Sequence, residues 1–128
     1  MIGVVILTDE TWLLCGGRDF SDQALFEAAM ADLVGMYGCP RKVVHGAAPG
    51  LDTMADIWAK RLAVDVVACR ADWDKHGKAA GPIRNEDMLI DHEPKRVIAF
   101  PGGKGTADMV RRARNRRGKI DVIEIRMQ

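Results

Sequence analysis

The chain is predicted to be an α/β protein: a single Rossmann-like domain, with a mostly parallel five- or six-stranded sheet and helices on both faces. Three observations carry that expectation. Short valine- and isoleucine-rich runs take turns with longer stretches of helical periodicity. The runs are mostly continuous, as in strands covered on both faces. Glycine-rich loops recur where a run gives way to a helix. A length of 128 residues suits one domain spanning 1–128.

Five runs read as strands: Trp12–Cys15, Lys42–His45, Val64–Cys69, Arg96–Phe100 and Asp121–Ile125. Met1–Leu7 is a candidate sixth at an edge, so residues 1–10 form a possible extra edge strand. The first helix is capped by Ser21 and carries Leu25, Ala29, Leu33 and Met36 at helical spacing, until Gly38 and Pro40 stop it. The second, Leu51–Leu62, places Leu51, Met54, Ala55, Trp58 and Leu62 on one face. The third, Pro82–Asp91, has proline where a first turn tolerates it. The fourth, Gly105–Arg117, buries Met109, Val110 and Ala113 and ends at Gly118. Arg70–Gly81 is left as an irregular stretch of the kind that forms binding or lid loops.

Bulk composition narrows the function classes. The chain is 48% hydrophobic and 29% charged with a net charge of +1, which suits a globular protein and argues against a general nucleic-acid coat. Three cysteines (Cys15, Cys39, Cys69) and three histidines (His45, His76, His92) at wide spacing support neither a disulfide framework nor a zinc site. The apolar N-terminus lacks a basic flank and no apolar run reaches membrane-spanning length, so a cytoplasmic location without membrane association is expected.

In open parallel sheets ligands sit beyond the carboxyl ends of the strands, and three glycine-bearing loops fall there. They contain Gly16-Gly17-Arg18-Asp19, Gly46-Ala47-Ala48-Pro49-Gly50-Leu51-Asp52 and Pro101-Gly102-Gly103-Lys104-Gly105-Thr106. The third is the most specific. Gly102, Gly103 and Gly105 let backbone approach an anion, and the following helix aims its free N–H groups at the site. Thr106 adds a hydroxyl donor, and Lys104 a charge if it does not point to solvent. Its sequence is not a Walker P-loop.

Arg18 has two readings, a bidentate grip on phosphate or a surface pair with Asp19 or Asp22. Arg84 and Asn85 open the third helix, where the dipole disfavours a cation unless an anion is near. Asp52 is a first-turn stabiliser or a partner for a ligand hydroxyl. His45 reads as a hydrogen-bonded structural residue or an acid–base group, and Trp73 as a stacking cover or an anchor of the long loop. The basic run Arg111, Arg112, Arg114, Arg116, Arg117 and Lys119 reads as a solvated helix end or a nucleic-acid contact, without the aromatic residues of a single-strand binder.

Four blocks in order resemble the YspA/cpYpsA-related branch of the SLOG superfamily, from about Thr11 to Ile125. They are Cys15-Gly16-Gly17-Arg18-Asp19-Phe20; His45-Gly46-x-x-x-Gly50-x-Asp52; Asp72-Trp73 through Gly81-Pro82-x-Arg84-Asn85; and Pro101-Gly102-Gly103-x-Gly105-Thr106. The resemblance implies a domain that holds nucleotides or nucleotide derivatives through its glycine loops. It extends distantly to the lonely-guy phosphoribohydrolases, which cleave a nucleoside monophosphate with an arginine and a glutamate, and to DNA-processing protein A. Gly102, Gly103, Gly105 and Thr106 match the phosphate motif, and Arg84 with Met88 matches the hydrolases' Arg-x-x-x-Met. The glutamate position is Met109, with Asp108 rotated away by about 100° on a helix.

Three functions therefore stand at this point. The first is a sensor or binding module for an ADP-ribose-like, NAD-like or mononucleotide ligand. The second is a glycosidic-bond hydrolase using Arg84, Asp108 and Asp52. The third is a DNA-associated module using Arg111–Lys119. A homodimer accords with the resemblance. No cofactor is required, although magnesium accompanying a phosphate is compatible with each.

Overall fold

The computed structural model describes residues 6–116 and 118–127. Five strands form one sheet: β1 (Thr11–Cys15), β2 (Lys42–His45), β3 (Asp65–Ala68), β4 (Arg96–Ala99) and β5 (Asp121–Glu124). They pair in the order β3-β2-β1-β4-β5, every pair parallel. The helices are α1 (Gln23–Tyr37), α2 (Leu51–Arg61), α3 (Trp73–His76), α4 (Ala80–His92) and α5 (Lys104–Arg114). The predicted α/β class, the parallel sheet and all five strand positions are borne out.

Strand β1 is central, and its Trp12, Leu13 and Leu14 are fully buried by cover on both faces. Its period of two divides the core. Trp12 and Leu14 pack with Phe26, Met30 and Leu33 of α1 and with Ala55 and Trp58 of α2. Leu13 points the other way, to Met88 and Leu89 of α4 and Met109 and Ala113 of α5. Val43 and Val44 on β2, and Ile98 and Val97 on β4, divide in the same manner. At the opposite end of the sheet Arg96 crosses the strands. It pairs with Glu10 at 2.9 Å and with Asp121, and its guanidinium lies 3.5 Å from the centre of the Tyr37 ring.

Several details depart from expectation. Asp22, not Ser21, caps α1, its carboxylate accepting from the Leu25 amide at 3.0 Å. Met36 and Leu62 were expected on buried faces and are exposed; Phe26 and Met30 take the inner face of α1. The Arg70–Gly81 stretch is mostly ordered structure. Asp72 caps α3 by accepting from the Lys75 amide, a 3₁₀ turn spans Gly77–Ala79, and α4 begins at Ala80. Pro82 is thus the third residue of α4, still among the amides that need no partner within the helix. Helix α5 begins one residue early, at Lys104, and ends at Arg114 with Asn115 as its cap; Arg117 lies outside the described residues. The candidate sixth strand does not join the sheet where it is described. Leu7 forms an isolated parallel bridge to Cys39, and the rest of that run, Met1–Val5, lies outside the described residues.

Candidate functional site

The chain progresses outward from β1 to β2 and β3, then returns through α3 and α4 to β4 on the other side of β1. Ligands of open parallel sheets lie at such a reversal, here between the ends of β1 and β4. The two loops leaving those ends are in direct contact. The Gly17 amide donates to the Pro101 carbonyl at 2.9 Å. A side chain on Gly102 would strike both the Gly17 amide and the Thr106 hydroxyl, so only bare backbone fits. The loop after β2 leans on the same place: Leu51 donates its amide to the Gly17 carbonyl at 3.1 Å. Gly50 permits this with φ of 76° and its α-carbon against the carbonyls of Gly17 and Arg18. All three glycine loops meet on one edge of the sheet, as the sequence led us to expect.

The third loop is shorter than anticipated, since Lys104 opens α5 with Gly103 as an N-cap that has no side chain to donate or accept. By helix geometry the amides of Lys104, Gly105 and Thr106 have no acceptor within the helix. A Cβ at Gly103 or Gly105 would meet nothing within 4 Å, so no neighbour in the protein demands glycine there. Thr106 turns its hydroxyl toward Gly102.

Arg84 spans the loop after β2. Its Nη1 donates to the Gly46 carbonyl at 2.5 Å and to the Cys69 carbonyl at 3.2 Å. It is the fifth residue of α4, two residues further in than expected, so the argument from the helix dipole weakens and the carbonyl contacts take its place. Burial lowers its pKa from the ordinary value; the Asp52 charge opposes that shift and the Arg18 charge reinforces it. Arg18 is exposed, and it forms no ion pair among the described residues, so its surface pairing with Asp19 or Asp22 is not seen.

Asp52 is 7% exposed and reaches back across its own loop, where Oδ2 accepts from the Gly46 amide at 3.1 Å and the Ala48 amide at 3.2 Å. Burial raises its pKa, only partly offset by the Ala48 hydrogen bond and the charge of Arg84. Asp52 and Arg84 both lie against the α-carbon of Gly46. His45 is buried and engaged at both nitrogens. Nδ1 accepts from the Ala47 amide at 2.9 Å, so Nε2 carries the proton and donates to Asp56 at 2.8 Å. That arrangement fixes the loop to α2 and leaves no ring nitrogen for proton transfer to a ligand. Asp56 was not singled out from the sequence, although it sits one turn beyond Asp52, at i+4 on the same face.

The second carboxylate expected to act, Asp108, is otherwise employed. It accepts from Asn85 Nδ2 at 3.0 Å, Arg112 Nε at 2.9 Å and Arg111 Nη2 at 2.5 Å. Burial raises its pKa, but the hydrogen bonds from Asn85 and Arg112 and the charges of Arg112 and Arg111 outweigh that and hold it low. Met109 is 1% exposed, in the core with Leu13 and Val97. The arginines of the basic run are also tied to carboxylates: five arginines, counting Arg126, share Asp108, Glu86 and Glu124. Arg112 and Arg116 pair with Glu86, and Arg114 pairs with Glu124 at 2.6 Å. Trp73 lies against Gly81 and is 53% exposed, so it borders the outer end of α4 and does not anchor in the core.

Two cavities flank the crevice. One, of about 810 Å³, begins at Gly102 and Gly103 and runs between α5 and the segment after β5. A smaller one, of about 240 Å³, lies on the far side of Arg84 among Cys69, Asp72, His76 and Asp87. Among the described residues no group of three or more His, Cys, Asp or Glu is arranged to hold a metal ion. No helix among them is long and apolar enough to cross a membrane.

An open parallel sheet with three loops meeting at its point of reversal defines the Rossmann-like class. Within that class the chain belongs to the YspA, cpYpsA-related SLOG family, whose sequence profile matches residues 13–76. That span runs from the middle of β1 through α3, with the first two glycine loops but neither Arg84 nor the third. The chain is also 36% identical over 108 residues to the Gene 61 protein of Mycobacterium phage D29, covering 79% of this chain and 86% of that relative. No solved structure matches it.

Proposed function

We propose that this protein binds a phosphate-bearing nucleotide or nucleotide derivative, ADP-ribose-like, NAD-like or a mononucleotide, as a sensor or binding module. The observation that carries this reading is the first turn of α5. Its unpaired amides open beside Gly17 and Gly102 at the β1–β4 reversal, with Gly103 and Gly105 free of protein neighbours. Arg84 and Arg18 supply cationic charge near that crevice. The groups that a hydrolase of the distant relatives' kind would use are poorly placed. Met109 is in the core, and Asp108 is engaged by two arginines and an asparagine.

One observation favours the hydrolase reading: Asp52 lies beside Arg84 with its pKa raised by burial. Such a carboxylate is suited to general acid work on a departing base. Against it, Oδ2 is already held by two loop amides. The DNA-associated reading is weakened because Arg111, Arg112, Arg114 and Arg116 all have carboxylate partners.

Native mass spectrometry after incubation with mononucleotides, NAD and ADP-ribose tests the proposal. An intact ligand retained by the protein, with no free base in solution, is the expected result. Free base with sugar phosphate left behind would replace the binding module with an enzyme. No retained ligand and no product would remove both.

A further inference from the structure

Between β3 and α4 the chain forms a short flap, α3 followed by the 3₁₀ turn Gly77–Ala79. No residue from Trp73 to Ala79 is buried. The flap packs chiefly on α4 and between its own two turns, not on a strand. What holds it is local. The Asp72 carboxylate accepts from the Lys75 amide at 3.1 Å, and the Asp72 carbonyl from the His76 amide at 3.0 Å. The Trp73 ring rests on the bare backbone of Gly81, 3.5 Å from where a Cβ would stand. Gly77 joins the two turns at φ 55° and ψ −133°, a conformation that other residues avoid, although no neighbour crowds its Cβ position. A segment with so little buried surface and only short-range hydrogen bonds opens at far smaller cost than a core strand.

Beside the flap lies the smaller cavity, of about 240 Å³. Asp72 and His76 of the flap form one wall, and Cys69 at the end of β3 with Arg84 and Met88 of α4 form the others. Arg84 is the wall shared with the loop after β2, because its Nη1 donates to the carbonyls of both Cys69 and Gly46. We propose that Trp73–Ala79 is a lid: it opens by lifting Trp73 from Gly81 and relaxing at Gly77, and so exposes the cavity behind Arg84 while the sheet stays folded. Closed, the lid restricts water on the far side of the Arg84 guanidinium, and a charge interacts more strongly where water is excluded. The lid is argued from packing alone and stands whatever the crevice binds.

Cys69 lines the cavity and reports on the lid, since a thiol reagent reaches it faster when the lid is open. The experiment measures the rate at which N-ethylmaleimide labels Cys69 at pH 8 in the wild type, Trp73→Ala and Gly77→Ala. Peptide mapping by mass spectrometry separates Cys69 from Cys15 and Cys39. Both substitutions fall on exposed residues, so the core is untouched. Trp73→Ala removes the contact with Gly81, and Gly77→Ala strains the closed turn through its backbone alone. Labelling of Cys69 is expected to be about fivefold faster or more in both variants, with urea midpoints unchanged. Equal rates in all three proteins would show that the segment does not control access. Faster labelling that only tracks a lost urea midpoint would show that the thiol is reached by global unfolding. Either result overturns the lid.

Discussion

Asn85 holds Asp108 across the interface of α4 and α5. Its Nδ2 donates to Asp108 Oδ2 at 3.0 Å and to the Gly105 carbonyl at 3.2 Å, while its Oδ1 accepts from Arg84 Nε at 3.0 Å. One buried amide thus connects the arginine at the β2 loop with the first turn of α5. Asn85 was expected to touch a ligand. In the structure its amide hydrogen-bonds Arg84, Gly105 and Asp108.

Replacing Asn85 by alanine removes those partners from a site only 4% exposed. Leaving buried groups unsatisfied costs about 1–3 kcal/mol. Urea denaturation should show a loss in that range, and affinity for ADP-ribose should fall as the first turn of α5 loosens. Unchanged stability would mean that water replaces the amide at no cost.

Asp108 has a folded pKa below its ordinary value of 3.8. Its contribution to stability is therefore complete above that ordinary value and is lost as pH falls through the folded value. We expect Asp108→Asn to flatten the acid side of the stability curve, below about pH 4, relative to the wild type. Parallel curves in urea melts from pH 6 to pH 2.5 would contradict the assignment.

Gly102 and Gly103 should separate sharply. A methyl on Gly102 meets the Gly17 amide and Thr106, so Gly102→Ala should cost about 1–3 kcal/mol and abolish binding together. A methyl on Gly103 meets no protein atom, so Gly103→Ala should change stability by less than about 1 kcal/mol. It should nonetheless weaken ADP-ribose binding severalfold. Thermal melts and calorimetry on the same two variants decide this, and unaltered affinity in Gly103→Ala would count against a phosphate on that turn.

Substituting Arg84 by glutamine removes the charge and the reach to the Gly46 and Cys69 carbonyls. Affinity for pyrophosphate should fall about tenfold or more, about 1.4 kcal/mol. Arg84→Lys should restore only part of it, since a single ammonium cannot reproduce the planar fork.

Because the α5 arginines are paired with carboxylates, binding of a single-stranded oligonucleotide should be weak even at low salt. Fluorescence anisotropy from 20 to 200 mM salt is the check. A steep loss of tight binding would signal several phosphate contacts and restore the DNA-associated reading.

Strand positions and helix starts were legible because they depend on local regularities: continuous apolar runs, glycines and prolines at boundaries, and a glycine-rich loop before a helix. The misread details share a different cause. Ser21 and Asp22 are both good caps, and only the backbone path decides which carboxylate reaches the Leu25 amide. Met36 fits the helical period, but it lies in the last turn of α1 and is exposed among the described residues. Asp108 looked available because its partners Asn85, Arg111 and Arg112 come together only when α4 and α5 pack.

The sequence by itself determined the parallel α/β architecture, the family and the three glycine loops, since each is written in residue type and short-range spacing. Tertiary structure alone decided which polar groups are free. It engaged both nitrogens of His45 with Ala47 and Asp56, tied Asp108 to Asn85, Arg111 and Arg112, and put Asp52 beside Arg84. The physical reason is that a side chain's charge and hydrogen-bonding capacity depend on partners distant in the chain, and packing chooses those partners.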